Sequence, residues 1–137
     1  MSEDNARFDR GVAKIREIGG SFEAIFAAVA DVAPDLSRFV AEFAFGDLYC
    51  RAGLEPVQRQ LLTIVALTVQ GDSAPQLKFH VHVALNVGAS PELIVETVLH
   101  TLAFTGFPRV VNAMRVARDV FESRALLPVD TSRNAPA

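Results

Sequence analysis

Phe79-His80-Val81-His82-Val83-Ala84-Leu85-Asn86-Val87 is the stretch on which the fold turns. Taken alone it alternates apolar and other residues with a period of two, the pattern of a half-buried strand. It also satisfies a helix, with Leu77, Val81, Ala84, Leu85 and Gly88 on one face. The choice has chemical consequences. On a strand His80 and His82 share a face, whereas on a helix they point about 200° apart. The flanks decide for the helix. Ser73 is suited to cap its start, and Gly88 is suited to end it. The predicted helix covers about residues 74–87.

The same punctuation extends in both directions. Helices are expected over about residues 4–18, stopping at Gly19-Gly20, over about 21–32, stopping before Pro34, and over about 35–49. After the turn Arg51-Ala-Gly-Leu54, Pro56 suits the first turn of a helix that runs to about residue 70 and ends at Gly71. Ser90-Pro91-Glu92 opens another, to about residue 105, and Gly106-Phe-Pro108 joins it to a last helix over about 108–124. The fold class is therefore all-α, a bundle of about six to seven helices. One domain is expected over residues 1–126, followed by a flexible tail over 127–137 that lacks periodic apolar residues.

Composition narrows the function. The 137 residues fit one ordinary domain. Half are hydrophobic and 21% are charged, as in a globular protein. The net charge of −3 and the absence of any Lys/Arg cluster argue against a nucleic-acid partner. Cys50 is the sole cysteine, so an internal disulfide, a dithiol redox site and a zinc ribbon are excluded; it is expected as a small buried hydrophobe. The polar start is unlike a signal peptide, and the apolar run Leu61–Val69 is far too short to span a bilayer. A cytoplasmic protein with no membrane partner is the expectation. The helices around Leu61–Val69 and Leu93–Phe104 are apolar almost all round, more than a single small bundle readily surrounds, which points to a homo-oligomer.

Several strings fall into one pattern. They are Arg7-Phe-Asp-Arg-Gly11 with Arg16-Glu17; Phe39-Val-Ala-Glu-Phe-Ala-Phe-Gly-Asp-Leu-Tyr-Cys-Arg-Ala-Gly-Leu54; Arg59-Gln-Leu-Leu-Thr-Ile64; Gln76-Leu-Lys-Phe-His80 with Ala84-Leu-Asn-Val-Gly88; and Glu96-Thr-Val-Leu-His100 with Gly106-Phe-Pro108. In order and spacing the chain resembles the carboxymuconolactone decarboxylase family. It is more similar to the small 4-carboxymuconolactone decarboxylases than to the alkyl hydroperoxidase D-type branch. That dithiol branch carries Cys-x-x-Cys where this chain has Ser73 and Gln76, and its chemistry needs both thiols. The resemblance implies an all-α fold of paired helices, a homotrimer or homohexamer, and decarboxylation of a small-molecule substrate without a cofactor. The chain departs from the decarboxylase pattern at three places: His-x-Arg is His80-Val-His82, Tyr-x-Gly-x-Pro is Phe104-Thr-Gly-Phe-Pro108, and an arginine after the fourth helix is Asp72. These changes favour a substrate other than 4-carboxymuconolactone.

Such a reaction needs a cationic anchor for carboxylates, a donor for a developing oxyanion and a proton source in a small pocket. His80 is the first candidate acid or donor, set against a core histidine satisfied by a carbonyl. His82 takes the place of the pattern's arginine as a switchable donor, in a stripe with Lys78 and Asn86. Glu96 and His100, four residues apart, are candidates for a carboxylate–imidazole dyad, set against an exposed helix pair. Arg51 is the first carboxylate anchor and Arg59 the second. Gln60 stands about where related branches carry a relay glutamate; an amide cannot relay a proton but can hold a carbonyl. Asn86, Tyr49 and Phe104 are candidate substrate contacts, the two aromatics lining either the pocket or the core. Glu42 is a further acid, expected at the surface. No metal site is expected, because His80 and His82 diverge on a helix. Two other functions fit the same residues: an isomerisation or other acid–base step on a polyketide-like substrate, and a non-catalytic oligomeric binding protein.

Overall fold

The contested stretch is helical: Ala74–Asn86 forms an α-helix in the computed structural model, which describes residues 3–136. Leu77, Val81 and Ala84 are buried on one face, and no strand occurs among the described residues. The chain divides into two compact units after Glu55.

In the N-terminal unit, α1 (Glu3–Glu17) is followed by the single-turn α2 (Phe22–Phe26) and by α3 (Pro34–Phe39), which runs on as a π-helix over Val40–Leu48. Close backbone approach joins α1 to the π-helix. A Cβ added at Gly11 would lie 1.9 Å from the Ala41 carbonyl oxygen, and one at Gly46 would lie 2.7 Å from that of Arg7. Only glycine fits at either place. Around this contact Ile15, Ala41 and Phe45 are buried. Arg7 and Arg10 both reach Asp47, Arg7 Nη2 at 2.5 Å and Arg10 Nη2 at 3.2 Å, and Arg10 Nε also donates to the Gly46 carbonyl at 2.7 Å. Hydrogen bonding from Arg7 holds the Asp47 carboxyl below its ordinary pKa.

Two expected helices are corrected here. The helix over 21–32 ends at Phe26: Ser21 caps its start, but Ala27, Ala28 and Ala30 are exposed and offer no continuing apolar face. The helix over 35–49 changes winding at Val40, and the Tyr49 N–H closes a five-residue bond to the Ala44 carbonyl at 2.9 Å. The expectations for Cys50 and Glu42 are corrected as well. Cys50 is exposed and its thiol lies 3.2 Å from the Phe45 carbonyl oxygen. Glu42 is buried, with Oε1 2.8 Å from Arg38 Nε one helical turn away.

In the C-terminal unit, α4 (Pro56–Gln70) turns at Gly71 into α5 (Ala74–Asn86), followed by α6 (Pro91–His100), the short α7 (Leu102–Thr105) and α8 (Phe107–Ser123). Gly71 has φ +83°, a conformation glycine takes without a side-chain penalty, and the Arg109 side chain lies over it. Ile64, Leu77, Val81, Ile94, Val98 and Val120 form the centre of the core. Burying each such side chain contributes about 1.5–3 kcal/mol. The expected cap at Ser73 is not made: its hydroxyl lies 3.0 Å from Gln70 Oε1 instead of binding the first turn of α5. Ser90 does cap α6, accepting from the Leu93 N–H at 3.1 Å. The helix expected to reach residue 105 breaks at Thr101, whose buried hydroxyl donates back to the Val98 carbonyl at 2.7 Å. In the segment expected as the tail, Val129 packs on the core and Ser132–Asn134 forms a 3-10 turn; Leu126, just before it, packs there too. No helix among the described residues is long and apolar enough to cross a membrane.

Candidate functional site

Two neighbouring helices bring Gln60 and His80 together. On α4 Gln60, Ile64 and Thr68 recur every four residues and form its buried face. Gln60 is 1% exposed, so its amide requires a partner inside the protein; burying an unpaired amide costs on the order of 1–3 kcal/mol. On α5 His80 follows the buried Leu77 by one turn and stands at the edge of the apolar stripe, half-buried. Its Nδ1 lies 2.8 Å from Gln60 Oε1. The Phe79 ring stands edge-on to it, with centroids 5.0 Å apart. Burial alone pushes the His80 pKa down to about 4, because the charged form loses its water. At neutral pH the imidazole is uncharged, with one N–H and one bare ring nitrogen able to accept a proton.

His82 points elsewhere, as the helical reading requires. Its pKa is lowered by burial first, then by the charges of Arg124 and Lys78. Arg124, at the end of α8, donates to the His82 carbonyl at 3.2 Å and to Asn86 Oδ1 at 2.9 Å. Asn86 is thereby tied to a guanidinium. Arg124 was not legible as a site residue; its sole signal is a basic residue after a long helix, an ordinary place for one.

The dyad expected of Glu96 and His100 is not formed. Both are exposed on α6; Glu96 Oε2 accepts from Asn134 Nδ2 at 3.4 Å, and the His100 ring lies 5.8 Å from that of Phe104. Helical spacing put the two on one face, but the C-terminal segment takes the carboxylate. Phe104 is 77% exposed and lines neither the core nor the described cavities. Arg59, next to Gln60, is half-buried and its carbonyl accepts from the Thr63 hydroxyl at 2.9 Å. In the N-terminal unit Tyr49 packs on Phe45, with ring centroids 5.0 Å apart, and Arg51 is exposed just past the π-helix.

The described cavities lie away from these residues. An open apolar groove of about 470 Å³ is lined by Val95, Met114, Ala117, Phe121, Leu127 and Val129 together with Arg118 and Pro128. A cavity of about 30 Å³, room for about one water, is bounded in part by Thr68, Leu77, Arg109 and Asn112. The Thr68 hydroxyl is buried there without a hydrogen-bond partner among the described residues. No three His, Cys, Asp or Glu side chains come together as metal ligands among the described residues.

The sequence model of the carboxymuconolactone decarboxylase family matches residues 34–119. The chain is 38% identical over 95 residues, 69% of this chain and 71% of the relative, to an uncharacterized 15.0 kDa protein of Paracoccus denitrificans. It is 29% identical over 104 residues, 76% of this chain and 77% of the relative, to a 4-carboxymuconolactone decarboxylase of Acinetobacter baylyi. It is 31% identical over 114 residues, 81% of this chain and 78% of the relative, to a nitrosuccinic acid decarboxylase of Metarhizium robertsii.

Proposed function

Because the chain belongs to the carboxymuconolactone decarboxylase family, we propose that it is a decarboxylase-type enzyme acting on a small carboxylated lactone or a related oxygenated acid without a cofactor. The observation that carries this reading is His80: an imidazole kept neutral by burial and paired to a buried amide. The names of two relatives support it. Both 4-carboxymuconolactone and nitrosuccinic acid carry a carboxylate together with an electron-withdrawing group, a lactone carbonyl or a nitro group, that can take up the electrons its loss releases. When carbon dioxide leaves, the electron pair passes into the lactone carbonyl or the nitro group, so the substrate is its own electron sink. The protein's tasks are then to hold the carboxylates, exclude water and move one proton. His80 moves the proton. Arg51 is the first carboxylate anchor and Arg59 the second, since a guanidinium presents a fixed fork to a carboxylate. His82, where the family pattern has arginine, tunes which substrate is accepted.

We also propose a homotrimer or homohexamer. Leu62, Leu93, Leu99, Phe104 and Phe107 are large apolar side chains exposed on the C-terminal unit, and copies of the chain would cover them.

The test is carbon dioxide release from 4-carboxymuconolactone and from nitrosuccinic acid, with purified protein and no added metal or cofactor. Acceleration of either over its spontaneous rate is expected, lost in His80→Ala at unchanged oligomer mass. No acceleration of either acid by the assembled protein overturns the reading.

A further inference from the structure

The contact between Gln60 and His80 has a direction. Gln60 Oε1 is a carbonyl oxygen and accepts hydrogen bonds only, so a ring nitrogen held 2.8 Å from it carries a hydrogen. A neutral imidazole has one N–H. With that hydrogen on Nδ1, Nε2 is a bare lone pair. Gln60 is 1% exposed on the inner face of α4, so its amide has to find its partners inside the protein.

We infer that Gln60 is a positioning residue that locks His80 as the Nδ1–H tautomer, so that Nε2 is the atom that takes up a proton and delivers it to the substrate carbon. The inference rests on the decarboxylase reading for its second half and on geometry alone for its first. The step balances as follows. The substrate is bound as its carboxylate, R–COO⁻, and Nε2 takes up one proton from solvent to give the imidazolium. The bond from the carboxylate carbon to R breaks, carbon dioxide departs, and the electron pair enters the electron-withdrawing group of R. The Nε2–H then protonates the carbanionic carbon to give R–H, and His80 is again the Nδ1–H neutral form. This differs from a resting histidine acid, which would need its hydrogen on Nε2 from the start.

The environment of His80 suits such a shuttle. Burial is the sole cause of its lowered proton affinity, and a pKa of about 4 is close to that of an ordinary carboxylic acid. An imidazolium of so low a pKa gives up its proton readily, which favours its transfer from Nε2 to the carbanionic carbon. A carboxylate in place of the Gln60 amide would stabilise the imidazolium and slow that transfer.

The experiment is nitrogen NMR of the whole protein labelled with ¹⁵N-histidine at neutral pH, with His80 identified by its loss in His80→Ala. The expected wild-type signature is a protonated Nδ1 and a bare, far-downfield Nε2. In Gln60→Leu the population is expected to move toward Nε2–H, with kcat for carbon dioxide release falling on the order of tenfold to a hundredfold and KM nearly unchanged. Gln60→Glu, whose carboxylate accepts the same hydrogen, is expected to keep Nδ1 protonated and serves if the leucine variant does not fold. A wild-type His80 protonated on Nε2 overturns the inference and leaves the decarboxylase reading standing. Nδ1–H in a protein that releases carbon dioxide from neither acid overturns that reading and the proton shuttle with it, while the tautomer stands.

Discussion

Acidification between pH 6.5 and 4 is expected to destabilise the protein through His80. The ordinary histidine pKa of 6.5 applies to the unfolded chain, and burial pushes the folded value down to about 4. In that window the unfolded chain binds more protons, so stability rises with pH and is lost as pH falls. The full difference is about 2.5 pK units, or roughly 3 kcal/mol, reached below pH 4. At pH 4.5 the loss relative to pH 7.5 is already about 2.5 kcal/mol. Asp47, held low by Arg7, loses its advantage only as pH falls below the ordinary aspartate value of 3.8, beneath this window, but other groups can contribute inside it. The assay is therefore a difference. Urea unfolding is measured at pH 7.5 and pH 4.5 for the wild type and for His80→Gln, which keeps a hydrogen-bonding group without a titration. The wild type is expected to lose about 2–3 kcal/mol more than the variant on acidification. Equal losses would mean that His80 titrates as a solvated histidine, and the account of its burial would be wrong.

Gly11→Ala places a methyl group 1.9 Å from the Ala41 carbonyl oxygen, a backbone atom that cannot step aside; a loss of about 3 kcal/mol or more is expected in thermal or urea unfolding, and a neutral result would refute the close approach of α1 and the π-helix. Thr68→Val replaces a buried hydroxyl without a described partner by a methyl group of the same shape, so a gain of about 1 kcal/mol is expected; a loss of similar size would show that the hydroxyl is satisfied through the 30 Å³ cavity. For the anchors, Arg51→Ala is expected to raise KM on the order of tenfold to a hundredfold, the worth of a charge-assisted pair, and an unchanged KM for that variant with a raised one for Arg59→Ala would transfer the role to Arg59.

Much of the architecture was legible because local signals agreed. Pro56 and Gly71 bound α4 as expected, and Ala74–Asn86 is helical although its middle reads as a strand. There the flanking punctuation, Gly88 above all, outweighed nine residues of alternation, since helix stops act on the backbone whatever the side-chain pattern. The misplacements have particular causes. At Thr101 a hydroxyl competes with the helix ladder, and at Phe26 the apolar face ends before the helix-compatible residues do. The switch to π-winding at Val40 left no signal in residue type, because it answers to α1 packed against Ala41 and Gly46.

Residue types and their spacing determined by themselves that the chain is all-helical and that it has the family's order of motifs, and they singled out His80 as the first candidate acid. Periodicity and punctuation are short-range properties, and one strand of text carries them. Only the tertiary structure decided which groups meet. Glu96 and His100 share a helical face and do not pair, whereas Gln60 and His80, twenty residues apart, do. A hydrogen bond between helices depends on their register and on which amide is buried, and those follow from how the whole core packs.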